Sequence, residues 1–368
     1  MKNFFYITDL NLPSNKAQTV HIFKMLDNAQ PFVKSVTLIC PFNEKKNNNL
    51  ILKKEYSLHS KKKISIHSIF DKKKKSSFLK RIIFGLKTAF FLKKRNGIIL
   101  TRSLMTSVCL SIFKIDHFLE IHQEIKGFTK ILMINLDYIN SKNIIKIIFI
   151  SKGLSEFYSF KKTNNIVLND ACDTRDFSKK KPVKNIKNVY YLGSFYKGRG
   201  IELIEKLALI MKDLNFYAYG MRDEKKLSTK NLKFYNFINY SRVGKILKKA
   251  DILLMPYQSK ISINSINFND DIVKFISPLK MFEYLATGIP IISSDIKVLR
   301  ETLTHDKNSV LVKNYENVNA WSAAIKRVKN NLGLRKKIYL NALKTASKNT
   351  WSKRVKKIIR IHQEFYSQ

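Results

Sequence analysis

One short segment combines residue types that suit the binding of a nucleotide. Ser277 can cap a helix with its hydroxyl, and Pro278 fits the first turn, where a backbone N–H has no partner to lose. The free N–H groups and the positive dipole end of such a helix suit a phosphate. Glu283 follows about 9 Å along the helix axis, and its carboxylate can accept hydrogen bonds from both ribose hydroxyls. The segment predicts contacts with a nucleotide's phosphate and ribose; a solvated glutamate on an ordinary helix is the alternative.

A glycine-spaced turn with two cations is the second candidate for phosphate binding. Residues 189–193 are predicted as a strand and residues 201–211 as a helix, and the turn between them holds Lys197 and Arg199. Glycines let the backbone approach a diphosphate closely, but the spacing Gly-x-x-x-x-Gly-x-Gly fits neither the dinucleotide fingerprint nor the Walker pattern. On spacing alone, the turn is a modest indication of a phosphate site.

The flanking sequence predicts the elements that position these residues. Gly288 can end the first helix in a left-handed conformation, Pro290 prevents its continuation, and residues 289–292 have the sequence of a buried parallel strand. Predicted strands alternate with helical patterns along the chain, at residues 4–7, 36–40, 97–102, 116–121, 216–220, 232–237 and 251–256. This alternation is typical of α/β domains with parallel sheets, and the length suits two of them.

The segment from Ser277 to Ile292 resembles the donor site of family 4 of the retaining glycosyltransferases, the glycosyl transferases group 1. Glu283 matches the second glutamate of that family's motif, whereas Phe275 stands in place of the first. The sequence follows a Ser-Pro-Leu-Lys-x-Phe-Glu-Tyr variant of the motif. The resemblance implies that Glu283 holds the donor's ribose. It implies a phosphate contact for the residues at the helix start, which are Ser277, Pro278, Leu279 and Lys280, and it leaves Asp270 and Asp271 as candidate substitutes for the missing glutamate.

The glycine-spaced turn resembles the loop in which the same family binds the donor phosphates. Arg199 falls on the family's phosphate-binding lysine, and an arginine keeps the charge while adding a two-pronged hydrogen-bond donor. Ser194 replaces an earlier arginine of the family, so Lys197 is expected to share that role. The resemblance thus assigns Lys197, Gly198 and Arg199 to the donor site.

Two segments of the first half resemble the same family. The loop containing Ser14, Asn15 and Lys16 corresponds to a glycine-bearing loop that faces the donor, although a plain surface loop is the alternative. The segment ending in Glu120-Ile121-His122 is similar to the family's Glu-x-His at the interdomain cleft. The resemblance implies that His122 contacts the transferred sugar, whereas a structural hydrogen-bonding histidine is the alternative.

The charge is strongly positive, with 69 basic against 27 acidic residues and a net charge of +42. Such a balance favours attraction to a polyanion, and a lysine-rich composition written by an AT-rich genome also accounts for part of it. Residues 53–95 hold 15 lysines and arginines, and from Phe78 onwards an apolar helical stripe is predicted. Leu79, Ile82, Ile83, Leu86 and Phe90 form this stripe. Such a helix can lie in an anionic membrane interface or pack on the domain's own sheet.

Compartment and metal content follow from smaller signals. Cys40, Cys109 and Cys172 form no CxxC pair and no metal-ligand spacing, which indicates a reducing compartment and no zinc site. The N-terminal segment turns polar too early for a signal peptide, and no apolar run reaches the length of a membrane span. We therefore expect a cytoplasmic protein, peripheral on the inner face of the membrane.

The resemblance implies a GT-B fold, with two Rossmann-like domains facing across a cleft. We predict domains at residues 1–180 and 181–345, and a C-terminal helix at 346–368 that crosses back to the first domain. The implied activity is transfer of a sugar from a nucleotide-diphosphate donor to an acceptor hydroxyl with retained configuration and without a metal cofactor. The expected acceptor is a lipid-linked saccharide in surface polysaccharide synthesis, such as lipopolysaccharide or capsule.

Two other functions remain open from the sequence. A sugar-nucleotide epimerase with the same two-domain architecture would need no acceptor. A nucleic-acid-binding protein would explain the charge, but it would leave Glu283 and the glycine-spaced turn unexplained, and no nucleic-acid-binding module is recognisable. We therefore predict no nucleic-acid partner.

Overall fold

The computed structural model describes residues 1–14, 16–42, 49–70, 78–159, 164–220, 229–262 and 273–367. The chain forms two compact units. Unit 1 comprises Met1–Asn169 and Trp351–Gln368, and unit 2 comprises Asp170–Thr350. The sequence predicted boundaries at 180 and 345, whereas residues 170–180 and 346–350 also belong to unit 2. The backbone explains the difference, because Cys172 N donates to Asn349 O at 3.1 Å and Lys180 N donates to Thr287 O at 2.9 Å.

Unit 1 is built on a seven-stranded parallel sheet. Its strands are β1 (Asn3–Ile7), β2 (Val36–Cys40), β3 (Ser65–Ser68), β4 (Gly97–Thr101), β5 (His117–Ile121), β6 (Ile144–Phe149) and β7 (Asn165–Val167). Their spatial order is β3-β2-β1-β4-β5-β6-β7, so the order reverses between β1 and β4. In open α/β sheets, ligands bind beyond the carboxyl ends of the strands near such a reversal.

Seven helices accompany these strands in the described part of unit 1. They are α1 (Ala17–Ala29), α2 (Asn49–Tyr56), α3 (Phe78–Leu92), α4 (Leu104–Ile112), the single turn α5 (Phe128–Lys130), α6 (Lys152–Phe157) and the C-terminal α12 (Trp351–Ser367). Strands β5 and β6 are almost completely buried, because helices cover both faces of a parallel sheet. The C-terminal helix α12 belongs to unit 1, where it packs against α1.

Helix α3 divides its apolar residues between core and solvent. Phe84, Ala89 and Leu92 are buried in the unit 1 core. Two members of the predicted stripe are largely exposed instead, Leu79 at 64% and Phe90 at 63%. The core-packing interpretation therefore holds for one face, and a second apolar face remains at the surface. Among the described residues, no helix has the length and apolarity required to cross a bilayer.

Unit 2 repeats the α/β pattern with a six-stranded parallel sheet. Its strands are β8 (Asn188–Leu192), β9 (Asn215–Tyr219), β10 (Leu232–Tyr235), β11 (Ile252–Met255), β12 (Ile291–Ser294) and β13 (Val310–Val312). Its helices are α7 (Ile201–Ile210), α8 (Tyr240–Leu247), α9 (Leu279–Thr287), α10 (Val318–Asn330) and α11 (Leu332–Lys348). The strand order β10-β9-β8-β11-β12-β13 reverses between β8 and β11. The α/β prediction is confirmed for both units.

Candidate functional site

The start of α9 differs in detail from the prediction. Pro278, not Ser277, occupies the cap position, with extended backbone angles and no side-chain cap. The Ser277 hydroxyl instead accepts a hydrogen bond from Asp170 N at 2.9 Å. The predictions of Ser277 as the cap and of Pro278 in the first turn are therefore wrong by one residue, because a tertiary contact engages the serine. At the other end, Gly288 adopts the predicted left-handed conformation.

Lys280 lies in the first turn of α9 against an aromatic wall. Its Nζ is 4.1 Å from the ring centre of Tyr191 and 4.9 Å from that of Tyr257. Gly193 makes this approach possible, because a Cβ there would lie 2.9 Å from the Lys280 ammonium and 3.0 Å from the Tyr191 hydroxyl. The wall itself is fixed, since the Tyr191 hydroxyl donates to Ser194 O at 2.8 Å. Lys280 is thus held by ring contacts, which attract a cation without neutralising its charge.

Arg199 brings a second cation to the same wall. Its guanidinium carbon is 5.5 Å from the ring centre of Tyr257. One terminal nitrogen donates to Ser262 O at 3.4 Å, while the buried Nε has no hydrogen-bond partner among the described residues. A buried donor without a partner is costly, so the arrangement favours an anion that accepts its hydrogen bond.

The charges of the two cations are not balanced locally. In the described part of the chain, neither Arg199 nor Lys280 forms an ion pair with a carboxylate. Burial and then the neighbouring Arg199 hold the pKa of Lys280 well below its usual value, and Glu283 opposes them only in part. A phosphate beside the two cations would raise the pKa of Lys280 again, because an opposite charge favours the ionised form.

The glycine-spaced turn holds the backbone around Arg199 in place. Gly198 has a positive φ of 81°, and a Cβ there would lie 1.8 Å from Lys260 O. The turn is tied down by Gln258 N, which donates to Gly198 O at 2.9 Å. Lys197 is exposed, and its carbonyl accepts a hydrogen bond from Ser262 N at 3.2 Å. The structure therefore joins Arg199 to Lys280 at the aromatic wall and leaves the Lys197 side chain at the surface.

Glu283 is buried one turn further along α9. Its side chain is 6% exposed, and its negative charge is felt by the Tyr240 hydroxyl, whose pKa is raised first by burial and next by Glu283. The following residue fixes the helix on the sheet, because the Tyr284 hydroxyl accepts a hydrogen bond from Leu192 N at 2.9 Å. A solvated glutamate, the alternative considered from sequence, does not describe this buried residue.

The remaining sequence candidates have mixed outcomes. Ser14 lies near the start of α1, where its hydroxyl is 2.6 Å from that of Thr19 and its carbonyl accepts from Tyr56 at 3.1 Å. Lys16 is exposed at the cap position of α1. Asn15, Asp270 and Asp271 lie outside the described residues. For Ser14 and Lys16, a donor-facing loop and a plain surface loop therefore both stay predictions.

In unit 1, His122 belongs to a buried cluster around Glu120. His122 follows the end of β5, and its Nε2 is 3.0 Å from Glu120 Oε2. The same oxygen accepts a hydrogen bond from the Tyr6 hydroxyl at 2.8 Å and lies 3.3 Å from His21 Nε2. Arg354 from α12 contacts the other oxygen at 2.6 Å. Burial alone would raise the pKa of Glu120, but Arg354 and the two histidines outweigh burial and hold it well below its usual value.

His21 and Arg354, two members of this cluster, were not predicted from the sequence. A signal for Arg354 is present, because it occupies the apolar face of α12 together with Trp351, Val355 and Ile358. A charge on the buried face of an amphipathic helix requires a partner in the core. No comparable signal distinguishes His21, whose partner lies about a hundred residues away in the sequence.

His21, Glu120 and His122 also form a set that could hold a metal ion, with ligand atoms within 4.8 Å of one another. Two imidazoles and one carboxylate suit several transition metals. Arg354 already supplies a positive charge to Glu120, however, and its guanidinium also donates to Leu168 O and Asn169 O at 2.9 and 3.0 Å. Arg354 therefore compensates the charge of the carboxylate, whereas Glu120 Oε1 and His122 Nε2 have no hydrogen bond of good geometry among the described residues.

A recess of about 380 Å³ lies beside the glycine-spaced turn in unit 2. Gly200, Leu203, Lys206 and Gln258 line it, together with the carboxylates of Glu202 and Glu316. Two carboxylates against one lysine disfavour a diphosphate, so the charge of this recess differs from that of the cation pair at the aromatic wall.

Comparisons with known proteins agree with this architecture. Residues 218–345 match the family model "Glycosyl transferases group 1", a segment that includes Lys280 and Glu283. No curated protein matched the chain.

Solved structures are similar over nearly the whole length. A glycosyltransferase from Rickettsia africae has a TM-score of 0.74 at 14% identity, covering 99% of this chain and 98% of its own. HepE from Anabaena, solved with UDP and glucose, has a TM-score of 0.69 at 13% identity, with 100% of both chains covered. WaaG, a glycosyltransferase involved in lipopolysaccharide biosynthesis, has a TM-score of 0.62 at 11% identity, covering 96% of this chain and 98% of its own. The chain therefore has the predicted GT-B fold, and residues 218–345 carry the sequence pattern of the group 1 glycosyl transferases.

Proposed function

We propose that the chain is a retaining glycosyltransferase that moves a sugar from a nucleoside-diphosphate donor to an acceptor hydroxyl. The observation that carries the proposal is the pair Arg199 and Lys280, two neighbouring cations at one aromatic wall without a carboxylate partner among the described residues. The family match over residues 218–345 and the likeness to HepE, which binds UDP, support a nucleotide sugar as the ligand.

In the proposed reaction, the bond between the anomeric carbon and the diphosphate oxygen breaks. The acceptor oxygen bonds to the same carbon with retained configuration, and the acceptor hydroxyl passes its proton to the leaving diphosphate oxygen. Negative charge develops on the leaving diphosphate, where preorganised cations and the start of α9 stabilise it most effectively. Arg199 and Lys280 supply those cations, Glu283 binds the ribose, and His122 contacts the transferred sugar.

We propose further that the reaction needs no divalent metal. Arg199 and Lys280 together provide two positive charges, which is the charge that a divalent cation would supply to a diphosphate. Turnover should therefore persist after exhaustive treatment with a chelator. A loss of turnover that Mg²⁺ or Mn²⁺ restores would contradict this part of the proposal.

The proposed acceptor is a lipid-linked saccharide of surface polysaccharide synthesis, reached from an anionic membrane surface. The exposed apolar face of α3 supports this, because Phe78 and Leu79 are exposed next to basic residues and Phe90 lies three turns further on. The likeness to WaaG is consistent with such an acceptor. Each basic group near an anionic surface contributes about 1 kcal/mol, so a few suffice for docking.

Product analysis tests the transferase activity directly. The full chain is incubated with candidate nucleotide sugars, with and without saccharide acceptors, and released nucleoside diphosphate and the new glycosidic bond are measured. We expect release that rises strongly with acceptor and a product with the donor's anomeric configuration. Conversion of the donor to an epimer without acceptor would favour the epimerase, and nucleic-acid binding without any donor turnover would favour the third function.

Vesicle sedimentation tests the membrane surface. We expect binding to anionic but not neutral vesicles at low salt, weakened at high salt by screening. Changing Lys80, Arg81, Lys87 and Lys94 to Glu should abolish it. The matched control changes four exposed lysines of unit 2, namely Lys212, Lys233, Lys245 and Lys249, to Glu and therefore carries the same change of net charge. Equal losses in both variants would indicate a general charge effect and contradict docking through α3.

A further inference from the structure

The buried cluster of unit 1 lies where the strand order of the sheet reverses. The reversal falls between β1 and β4, and β5 is the next strand after β4. Arg102 directly follows β4, while Glu120 and His122 stand at the carboxyl end of β5. Open α/β sheets bind ligands beyond the carboxyl ends of their strands near such a reversal. The cluster therefore occupies a place in the sheet where a ligand is expected.

Three atoms of this cluster have the spacing of a zinc site. Nε2 of His122 is 3.0 Å from Glu120 Oε2, and Nε2 of His21 is 3.3 Å from the same oxygen. Zinc bonds of about 2.0–2.2 Å in a tetrahedral arrangement place neighbouring ligand atoms roughly 3.3 Å apart. The three atoms lie within 4.8 Å of one another, so one ion can contact all of them after small side-chain movements. This spacing fits a site with three protein ligands and one open position.

Two atoms of the cluster lack a hydrogen bond of good geometry among the described residues. They are Nε2 of His122 and Oε1 of Glu120, and both are buried. A buried polar atom without a partner costs free energy, and a metal ion that accepts the lone pair of an imidazole removes that cost. Nε2 of His122 is therefore a ligand atom that the described part of the fold leaves unsatisfied.

Neighbouring side chains hold the three ligands in place. Arg354 lies 2.6 Å from Glu120 Oε1, and its guanidinium also donates to two backbone carbonyls, which fixes it. This leaves Glu120 Oε2 within reach of both imidazoles. The His21 ring packs edge-on against the ring of Trp351, with 4.8 Å between the ring centres. Such support around the ligands raises metal affinity, because little ordering remains to be done on binding.

Two arginines set the charge balance of the cluster. A divalent ion bound to Glu120 leaves one net positive charge, to which Arg354 and Arg102 add. An anionic fourth ligand offsets this charge, and zinc generates one by lowering the pKa of its bound water to about 7. The buried Nη1 of Arg102 has no hydrogen-bond partner in the described part of the chain, so it can donate to such a hydroxide. Arg102 therefore suits an open position that carries an anion.

We propose that His21, Glu120 and His122 form a binding site for a transition-metal ion of the Zn²⁺ type, with an anionic solvent ligand in the fourth position. The binding itself rests on the contacts of unit 1 alone. Its consequence rests on the proposed function, in which His122 contacts the transferred sugar and the reaction needs no metal. A metal ion that engages His122 then inhibits transfer, so the site regulates the enzyme and takes no part in catalysis.

Calorimetric titration of the full chain with Zn²⁺, after treatment with a chelator, tests the binding. We expect the wild type and His67→Gln to bind one more tight equivalent of zinc than His21→Gln. His67 is the matched control, because it lies in the same unit but is stacked on Phe91, outside the cluster. Equal numbers of tight equivalents in the three proteins would overturn the proposal.

X-ray absorption at the zinc edge keeps the test decisive if His21→Gln fails to fold. In the wild type loaded with one equivalent of Zn²⁺, we expect two imidazole ligands and nitrogen or oxygen distances of about 2.0–2.2 Å. A spectrum with fewer than two imidazole ligands would overturn the proposal.

Turnover with and without Zn²⁺ separates the metal site from the proposed function. We expect one equivalent of Zn²⁺ to abolish turnover by the wild type and by His67→Gln, and a chelator to restore it. His21→Gln should show the same rate with and without Zn²⁺. Zinc binding by the cluster without inhibition would overturn the regulatory role, whereas zinc binding without any glycosyl transfer would count only against the proposed function.

Discussion

Each unit holds cationic side chains that are partly or fully removed from solvent, and the two units differ in whether a carboxylate compensates the positive charge. In unit 1, Arg354 meets a carboxylate and two backbone carbonyls. In unit 2, Arg199 and Lys280 meet tyrosine rings and one weakly placed carbonyl, within the part of the unit that the structure describes. The first arrangement contains its own counter-charge. The second has no counter-charge among the described residues, which is why we propose it as an anion-binding site.

Burial affects the charge of Arg354 in unit 1 and of Lys280 in unit 2 differently. An ion pair in the interior stays charged only if its partners compensate for lost hydration, and Glu120 does so for Arg354. Among the described residues Lys280 has no such partner, and its pKa falls well below the usual value. Substitutions should therefore lower stability in unit 1 and lower ligand affinity in unit 2.

The largest effect is expected for Arg354→Met. Removal of the guanidinium leaves Glu120 as an uncompensated buried charge, which should lower the free energy of unfolding by about 3–5 kcal/mol. Urea denaturation measures this loss, with Arg360→Met as the exposed control on the same helix. A loss no larger than that of the control would mean that Arg354 is not required for the fold.

A smaller effect is expected for Glu283→Ala. Loss of charge-assisted hydrogen bonds to the ribose should weaken nucleoside diphosphate binding by about 1.5–3 kcal/mol. Calorimetric titration measures the change, and Glu301→Ala, at an exposed glutamate of the same unit, should bind normally. Equal affinities in the two variants would remove Glu283 from the donor site.

The lowered pKa of Lys280 predicts proton uptake when a diphosphate binds. The pKa is low in the free protein and a neighbouring anion raises it, so at a pH between the two values the neutral amine of Lys280 takes up a proton on binding. Titrations in two buffers with different ionisation enthalpies should give different apparent heats. Lys280→Arg should bind without this difference, because arginine does not titrate in this range. Identical heats for the wild type in both buffers would contradict the assignment.

The smallest effect concerns the stability of Lys280→Met. Because Lys280 lacks an ion-pair partner among the described residues, its removal should leave the free energy of unfolding within about 0.5 kcal/mol of the wild type, or raise it. Lys297→Met serves as the exposed control in the same urea experiment. A loss of several kcal/mol would show that Lys280 is a structural cation like Arg354.

The sequence predicted those features that depend on neighbouring residues. Gly288 ends α9 because only a flexible residue suits its left-handed backbone, and the segments of β2 and α7 were recognisable from their periodicity. The resemblance placed Arg199 and Lys280 in one site, and the structure brings them to one wall. Ser277 was misassigned because its hydroxyl has a partner that is distant in sequence, Asp170.

Contacts between distant residues account for the rest of what the sequence left undetermined. Tyr191 and Tyr257 have no motif that marks them as the wall behind the two cations, since they come from different strand ends. The cluster around Glu120 joins Tyr6, His21, His122 and Arg354 from opposite ends of the chain. Only the packing of β1, α1, β5 and α12 brings these residues together.

The most direct test of the proposed donor site is the binding of nucleosides and nucleoside diphosphates to the wild type and to Arg199→Met combined with Lys280→Met. Calorimetry should detect diphosphate binding to the wild type and a loss of at least about tenfold in the double variant, with nucleoside binding unchanged. Arg242→Met combined with Lys297→Met removes two exposed cations of the same unit and should bind as the wild type does. Equal diphosphate affinity in the wild type and the Arg199 and Lys280 variant would contradict the assignment of this cation pair to the donor.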